Sequence, residues 1–257
     1  MKQNSKQTNS ILVIGGGVGP AAGVDLHRLI IENSSFAVID QDHLRVIHLS
    51  FSDLIADRTH SLKNNTYDIV ANNMAIVIKS IIPTLTLFNS HAVVGIPCNT
   101  FHANPIFNQF ISAMKPHSQI ITIINMIKET VNYITSTITQ HGNIGMMSTT
   151  GTRDALLYDA PLNDKGFHVM HCDNQDLIHS SIYHKVWGIK AVNGESIENK
   201  RVLTDGLEEL YQKGAQAIIL ACTEIPLVIK ESHYKGIPLI NPVVLLAKAM
   251  IESSRNN

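Results

Sequence analysis

The sequence has little of what marks several large classes of protein. Its 257 residues include three cysteines, an odd and small number that argues against a disulfide framework and indicates a reducing, cytoplasmic location. Aromatic residues make up only 5% and charged residues 16% of the chain. Lys and Arg (20) nearly balance Asp and Glu (21), so no basic excess indicates nucleic acid and no acidic excess indicates disorder.

Long apolar runs are also missing. The longest, such as residues 217–222, are far shorter than the ~18 residues of a membrane span. The first ten residues are polar, lack the apolar core of a signal peptide and are expected to form a loose tail. No membrane partner is therefore expected. The 44% of hydrophobic residues suffice for the core of one large domain or two smaller ones.

Short apolar runs alternate with segments of helical periodicity along the chain. Strands are predicted at 11–14, 44–49, 119–124, 143–147, 167–171 and 237–240, and directly before Cys98 and Cys222. Helices are predicted at 21–33, 67–82 (ended or kinked by Pro83), 126–139, 174–191 and 196–213, after Cys98, and from Val243 onward. Strands that alternate with helices predict parallel sheets.

Two of the cysteines occupy matching positions in the two halves of the chain. Cys98 and Cys222 each follow a short apolar run and precede a small polar residue that can cap a helix. A thiolate is stabilised where a strand ends and a helix begins. One such thiol indicates a nucleophile or a base. Two, one from each half, indicate a proton donor and a proton acceptor on opposite faces of one small substrate.

A second echo accompanies the cysteines. A strand followed by a loop of small residues occurs at 11–19 and again at 144–152, which indicates a diverged duplication. The predicted fold is α/β, with two similar doubly wound parallel-sheet domains related by pseudo-two-fold symmetry and an active site in the cleft between them. Residues 1–118 with 240–257 are assigned to the domain that carries Cys98, and residues 119–239 to the domain that carries Cys222.

Seven motifs run in order over nearly the whole chain. They are GGGVGP (15–20), DQDH (40–43), DRT (57–59), PCNTFH (97–102), NMI (125–127), TTGT (149–152) and CTEIPL (222–227). With these motifs the chain resembles the cofactor-independent aspartate/glutamate racemases, in particular the aspartate racemase branch. The resemblance implies a homodimer that needs no cofactor and no metal and racemises an acidic amino acid. Cys98 and Cys222 would be its two acid/base residues.

The resemblance also implies how the substrate is held. Arg58 would bind one substrate carboxylate through two parallel hydrogen bonds, and Lys190 falls where the family places a substrate-binding lysine. Without a cofactor, the developing enolate needs donors from the protein itself. Candidates for lining the site are the side chains of Asn99, Thr100, Thr150, Thr152 and Thr223, together with the backbone at Gly16 and Gly17.

Three residues depart from the family pattern. Val18 stands where methionine is usual, Gly23 where serine or threonine is common, and Ala221 where glycine usually precedes the second cysteine. The added methyl group of Ala221 would crowd the substrate or shift the turn. These departures leave the two-thiol argument intact and the identity of the substrate open.

Three alternative functions stay open. Residues 17–22 fit a relaxed dinucleotide fingerprint, with Asp40 where a ribose-binding acid would lie, which predicts a nicotinamide-dependent enzyme. That alternative leaves residues 222–224 unexplained. A related decarboxylase or cis–trans isomerase of another small carboxylate is the second, and a protein that binds an amino acid without turnover is the third.

Two further residues have alternative interpretations. Cys172, with His168 and His171, forms a weak metal-ligand pattern, for which an ordinary strand end is the preferred interpretation. Glu224 is interpreted as a cap at the amino end of a helix rather than as a substrate contact.

Overall fold

The computed structural model describes residues 9–138 and 141–256 of the chain. The strands are β1 (Ser10–Gly16), β2 (Arg45–Ser50), β3 (His91–Gly95), β4 (Ile121–Ile124), β5 (Asn143–Ser148), β6 (His168–His171), β7 (Ala217–Ala221), β8 (His233–Tyr234) and β9 (Ile237–Ile240). The helices are α1 (Pro20–Asn33), α2 (Arg58–Lys63), α3 (Tyr67–Lys79), α4 (Ile82–Phe88), α5 (Asn104–Met114), α6 (Met126–Thr137), α7 (Thr150–Asp154), α8 (Asp159–Asn163), α9 (Gln175–Tyr183), α10 (Ile189–Val192), α11 (Ile197–Gln212) and α12 (Pro242–Asn256). The first eight residues of the predicted tail and the predicted helix end at Thr139 lie outside the described residues.

The first sheet is parallel, with strand order β2-β1-β3-β4. Ile11 of β1 lies opposite Arg45 of β2 on one side and Ala92 of β3 on the other. Every residue of β1 is buried, because α3 and α5 cover one face of the sheet while α1 and α12 cover the other. Burial on both faces explains why its strands are continuous apolar runs rather than alternating ones.

The second sheet repeats this order as β6-β5-β7-β9 and adds β8 at the edge of β9. β8 pairs antiparallel with β9, through a two-residue turn in which Lys235 and Gly236 both have positive φ, 47° and 88°. Such a turn joins adjacent antiparallel strands with little strain. The α/β fold with two parallel sheets is confirmed, and the β8–β9 hairpin is an element that the sequence patterns did not predict.

The matching strand order places both cysteines alike. In each sheet the third strand along the chain lies next to the first, β3 beside β1 and β7 beside β5. Cys98 follows β3 and Cys222 follows β7. The repeat seen in the sequence therefore corresponds to a repeat of the strand order.

β4 lies in the first sheet, although its residues, within the segment 119–124, were assigned to the second domain. It pairs there with β3. Pairing between neighbours along the chain explains this placement, because a right-handed crossover through α5 returns the chain beside β3. α12 packs on the first sheet, in line with its assignment. The division into domains stays a prediction.

Two predicted helices are each broken in two. The segment predicted as 67–82 ends at Lys79, and Pro83 lies in the first turn of α4, where its missing N–H leaves no hydrogen bond unmade. The segment predicted as 174–191 breaks between α9 and α10. There the backbone turns so tightly that a Cβ on Gly188 would lie 2.5 Å from the nitrogen of His184.

One stretch, Tyr67–Phe88, passes a test of length and mean hydropathy for a membrane span. It comprises α3 and α4, and Val70, Met74 and Ile78 of α3 are fully buried against the first sheet. The core of the first half accounts for the apolar character of this stretch.

The departure at Gly23 has a steric explanation. A Cβ built on Gly23 would lie 2.4 Å from Nε2 of His48, and one on Gly16 would lie 2.6 Å from the same atom. The imidazole of His48 therefore occupies the space that a side chain at position 23 would take. In this chain the glycine and the histidine fit as a pair.

Candidate active site

Cys98 lies on a short turn between β3 and α5. The 3-10 turn Thr100–His102 follows it, and the main helix begins only at Asn104. Nδ1 of His102 lies 2.9 Å from the carbonyl oxygen of Cys98, and the backbone N–H of Met126 donates to Nε2 at 3.4 Å. Since Nε2 accepts a hydrogen bond, the proton of the neutral ring lies on Nδ1 and is donated to Cys98. His102 thus fixes the backbone of the first cysteine.

Cys222 is followed by a similar 3-10 turn, Ile225–Leu227. Neither turn has a side-chain cap, so the prediction that Asn99 and Thr223 cap helices is wrong. A turn of three residues also has little macrodipole, because the dipole grows with aligned peptide units. The surroundings of the two cysteines are therefore set by neighbouring side chains rather than by a helix end.

Both cysteines line one buried cavity between the two sheets. Its walls are formed by Val18, Arg58, Cys98, Asn99, Thr100, Thr149, Thr152, Tyr183, Lys190, Ala221, Cys222, Thr223 and Glu224. Each cysteine is only 6% exposed. About 10 Å³ is free for the centres of water molecules, roughly the space that one water needs. The two thiols therefore share a closed, water-poor site.

A larger groove lies elsewhere on the molecule. It encloses about 1010 Å³ between α1, α12 and the segments around β8 and β9, and neither cysteine lines it. Size alone would favour this groove as a ligand site. The convergence of thiols, cations and hydroxyl groups instead identifies the small cavity as the candidate active site.

Arg58 enters the cavity from the amino end of α2. Asp57 caps this helix by accepting a hydrogen bond from the backbone N–H of His60 at 2.7 Å, which is the usual role of aspartate at such a position. The cap fixes the first turn of α2 and thereby the direction in which Arg58 leaves the backbone.

The guanidinium of Arg58 is only partly satisfied by the protein. It donates to the carbonyl oxygens of Val18 at 2.8 Å and Ala56 at 3.3 Å, while its Nε is buried without a partner. Burial by itself would lower the pKa of Arg58, but the negative charge of Cys98 and of nearby acidic groups outweighs burial and raises it. Arg58 is thus a buried cation beside Cys98 with a donor to spare.

Cys222 lies beside a buried ion pair. Its thiol donates to Oε2 of Glu224 at 3.0 Å, and the ammonium of Lys190 donates to Oε1 of the same carboxylate. Burial and the charge of Glu224 raise the pKa of Cys222 well above its ordinary value, and Lys190 offsets this only in part. A carboxylate thus lies beside this thiol, where the sequence led us to expect the amino end of a helix.

Hydroxyl groups join the two halves across the cavity. Oγ1 of Thr100, from the first half, lies 2.9 Å from that of Thr152 and 3.3 Å from that of Thr149, both from the second half. The phenol of Tyr158 donates to Oδ1 of Asn99 at 2.6 Å, while Nδ2 of Asn99 is buried without a partner. This part of the cavity wall is therefore uncharged and rich in hydrogen-bonding groups.

Tyr183 contributes another contact between the halves. Its hydroxyl donates to Oδ2 of Asp57 at 3.3 Å, its ring stacks on His179, and the ammonium of Lys190 lies 5.3 Å from the ring centroid. Burial, followed by the charge of Asp57, raises the pKa of the phenol. Tyr183 therefore stays a neutral hydrogen-bonding group at the cavity.

Most of the predicted site residues come together. Those that line the cavity are Cys98, Cys222, Arg58, Asn99, Thr100, Thr152, Lys190 and Thr223, whereas Gly16, Gly17 and Thr150 do not. The backbone N–H of Thr150 instead donates to Nδ1 of His179 at 3.2 Å. A Cβ on Gly17 would lie 2.8 Å from the backbone of Phe51, so this loop is packed against protein where a nucleotide phosphate would need room.

Three polar lining residues were missed. Glu224 was interpreted as a cap, yet it caps no helix and binds Cys222 and Lys190. Its place two residues after a candidate acid/base cysteine was the available signal. Thr149 adjoins the predicted threonines, whereas Tyr183 has no motif around it.

The third cysteine lies apart from this site. Cys172 belongs to the core of the second half, and its thiol donates to the carbonyl oxygen of Gly206 at 3.7 Å. His171 instead pairs with Asp159 at 2.6 Å. Within residues 9–138 and 141–256, no cluster of His, Cys, Asp and Glu side chains could hold a metal ion. The strand-end interpretation of Cys172 agrees with these contacts.

His102 is expected to make stability sensitive to acid. Burial lowers the pKa of its imidazole to about 4, whereas the unfolded chain binds the proton near the ordinary value of about 6.5. Between these values the unfolded state holds more protons, so the free energy of unfolding falls as pH decreases, by about 2 kcal/mol between pH 7.5 and 5. Urea unfolding at both pH values should show His102→Asn losing about 2 kcal/mol less over this interval than the wild type.

The control for this prediction is His168→Gln at an exposed position of β6. It should keep the full acid dependence, since other titrating groups are unchanged. An equal loss in His102→Asn and the wild type would contradict the assignment of His102 as a buried neutral ring.

Known structures share this architecture. Picrophilus torridus aspartate racemase is 25% identical, with a TM-score of 0.73 over 95% of this chain and 94% of that chain. A glutamate racemase from Francisella tularensis in complex with D-glutamate is 16% identical, with a TM-score of 0.59 over 96% of this chain and 81% of that one. A mutant arylmalonate decarboxylase with associated sulfate ion, 12% identical, has a TM-score of 0.54 over 95% and 92% of the two chains.

The latter two similarities concern the fold alone. Function is addressed by the match of the chain to a family, which runs over residues 16–250 and therefore includes both cysteines and every residue that lines the cavity. A match over nearly the whole length favours this family over the nicotinamide-dependent alternative. The chain belongs to the Asp/Glu/Hydantoin racemase family and is an isomerase.

Proposed function

We propose that this protein is a cofactor-independent racemase that interconverts L and D enantiomers of an acidic amino acid, aspartate or glutamate. Proton transfer would run between Cys98 and Cys222. The observation that carries the proposal is that two cysteines from matching positions of two sheets line one closed cavity. The similarity to an aspartate racemase over 95% of the chain supports this substrate class.

The two thiols have different neighbours. The guanidinium of Arg58 lies beside Cys98, and the thiol of Cys222 donates its hydrogen to the carboxylate of Glu224. In one direction, the Cys98 thiolate removes the proton from Cα and the Cys222 thiol delivers its own proton to the opposite face. In the other direction the roles are exchanged. One proton leaves and one arrives, so the substrate changes only its handedness.

Unpaired donors mark where the substrate would be held. Nε of Arg58 and Nδ2 of Asn99 are buried without partners, a state that costs free energy until an acceptor arrives. A substrate carboxylate between them would satisfy both. Lys190 has three ammonium donors and gives one to Glu224, which leaves donors for the second carboxylate of an acidic amino acid.

The cavity suits the carbanion that must form. Removal of the Cα proton places negative charge on the α-carboxylate, and preorganised donors in a dry site stabilise such charge best. Arg58 and Asn99 supply donors from the first half, and the hydroxyl groups of Thr100, Thr149 and Thr152 surround the site from both halves. The protein would thereby supply the stabilisation for which other racemases use a cofactor.

Two further expectations accompany this proposal. The resemblance implies a homodimer, and the small number of cysteines indicates a cytoplasmic location. The two sheets would correspond to two domains, with the substrate bound between them.

The test is incubation of the purified protein with L-aspartate and, separately, L-glutamate in heavy water. We expect loss of optical rotation together with incorporation of one deuterium at Cα in at least one of the acids, measured by polarimetry and NMR. L-Alanine serves as the control, because it lacks the second carboxylate. Failure to racemise either acid, with no deuterium at Cα, would contradict the proposal.

A further inference from the structure

Glu224 is distinguished among the residues that line the cavity. Within the described part of the chain it is the one carboxylate on the cavity wall, and it is 4% exposed. Its Oε2 accepts hydrogen bonds from the thiol of Cys222 at 3.0 Å and from the hydroxyl of Thr223 at 3.2 Å. Its Oε1 accepts from the ammonium of Lys190. The carboxylate thus bridges the second cysteine and a cation.

Both Glu224 and Lys190 are charged. Burial would raise the pKa of Glu224, but the charge and hydrogen bond of Lys190 lower it. Burial would likewise lower the pKa of Lys190, but Glu224 raises it. The two shifts agree on an ionised pair, so a negative charge lies next to the sulfur of Cys222.

The glycine-rich loop of the first half covers this pair. Gly19 has φ 124°, and a Cβ built on it would lie 2.3 Å from Oε1 of Glu224 and 3.3 Å from Nζ of Lys190. Glycine tolerates both the backbone conformation and the close approach. The first half therefore closes over a charged group of the second half, and the carboxylate is held in one place beside the thiol.

We infer that Glu224 is a positioning residue that keeps Cys222 as the protonated, hydrogen-donating thiol of the resting enzyme. This inference rests on the proposed two-thiol racemisation. Once Cys222 has given its proton to Cα, two anions lie about 3 Å apart, which is unfavourable in a dry site. Cys222 therefore regains a proton readily from water, while Cys98 gives up to water the proton that it took from Cα, and the enzyme returns to the form in which Cys222 is protonated.

This asymmetry has a defined kinetic signature. The enantiomers have equal free energies, so kcat/KM must be the same in both directions whatever the resting form is. The difference in resting protonation between the two cysteines affects kcat and KM individually. We expect these to differ between the L and D enantiomers, and the difference to shrink in Glu224→Gln.

The direct test follows the titration of Cys222 without substrate. In a Cys98→Ser, Cys172→Ser background, Cys222 is the sole cysteine, and its rate of alkylation by iodoacetamide can be measured against pH. Glu224→Gln keeps the size of the side chain and removes the charge. We expect it to lower the apparent pKa of Cys222 by about one pH unit or more.

Two variants complete the design. Glu224→Asp withdraws the carboxylate by one methylene and should lower the apparent pKa by less, so it decides the question even if the glutamine variant does not fold. Lys190→Arg keeps the positive charge, so Glu224 should stay ionised and the apparent pKa of Cys222 should stay above its ordinary value. The inference is overturned if Glu224→Gln and Glu224→Asp leave the apparent pKa of Cys222 unchanged or raise it. Because no substrate is present, this outcome is independent of whether the protein racemises aspartate or glutamate.

Discussion

Replacing either Cys98 or Cys222 with serine is expected to reduce racemisation by about 10²- to 10⁴-fold, the usual contribution of a general acid or base. Serine has nearly the same shape, but its hydroxyl neither ionises near neutral pH nor serves as an equally ready proton donor. Both sulfurs line the same cavity, so each variant lacks the group on one face of the substrate. Polarimetry with aspartate and glutamate measures the loss.

Exchange in heavy water separates the roles of the two thiols. Each variant keeps one thiol, so it should still exchange the Cα hydrogen of the enantiomer that faces this thiol, without inverting it. Cys98→Ser and Cys222→Ser should therefore exchange opposite enantiomers. A mechanism that uses one thiol predicts that only one of the substitutions matters.

The chain offers its own control for these substitutions. Cys172 is also buried, but it lies in the core of the second half and its thiol contacts Gly206. Burial raises the pKa of Cys172 to about 12, which leaves it an inert thiol near neutral pH. Cys172→Ser should racemise at nearly the wild-type rate. Normal racemisation by Cys98→Ser or Cys222→Ser would rule out the two-base scheme.

Arg58→Lys is expected to lower kcat/KM by about 100-fold or more. Lysine keeps the charge, but it lacks the planar fork that donates to the carbonyl oxygens of Val18 and Ala56 and leaves Nε for the substrate. A substrate displaced by about 1 Å from its reactive position loses about 10²-fold in rate. Both kcat and KM should change, since Arg58 also lies beside Cys98.

The matched control is Arg201→Lys. Arg201 lies on the exposed face of α11 and pairs with Glu198 and Asp205, where an ion pair contributes little to stability. This variant should keep both the melting temperature and kcat/KM. If Arg58→Lys also kept kcat/KM while remaining folded, Arg58 would not be the carboxylate-binding residue.

The sequence was most informative where local pattern and motif agreed. Apolar runs that alternate with helical segments predicted parallel sheets, and the matched settings of Cys98 and Cys222 predicted that they meet. The strand order in each sheet explains why that prediction succeeded, because equivalent strands carry equivalent turns. The pairing of β4 with β3 was not foreseen, because strand pairing is decided by the tertiary fold, which the composition of a strand does not encode.

The parts of the site that escaped prediction depend on backbone turns. Hydrophobic periodicity continues through residues 184–188, yet a tight turn at Gly188 separates α9, which ends at Tyr183, from α10, which carries Lys190. This break brings both side chains to the cavity. Glu224 was missed because the sequence pattern suggested a helix after Cys222, whereas the structure has only a three-residue turn without a side-chain cap.

A cavity with room for about one water is smaller than a dicarboxylate, so we expect the two halves to move apart when the substrate enters. Neutral donors make four hydrogen bonds between them, namely Thr100 with Thr149, Thr100 with Thr152, Tyr158 with Asn99, and Tyr183 with Asp57. Each such bond contributes about 1 kcal/mol, and Leu62 and Ala103 add apolar packing against the core of the second sheet.

The charged groups of the cavity come from both halves. Arg58 belongs to the same half as Cys98, while Lys190 and Glu224 belong to the same half as Cys222. Each cysteine would therefore keep these neighbours when the halves move apart. The hydrogen bonds that break between the halves are made mainly by hydroxyl groups, and water can replace them.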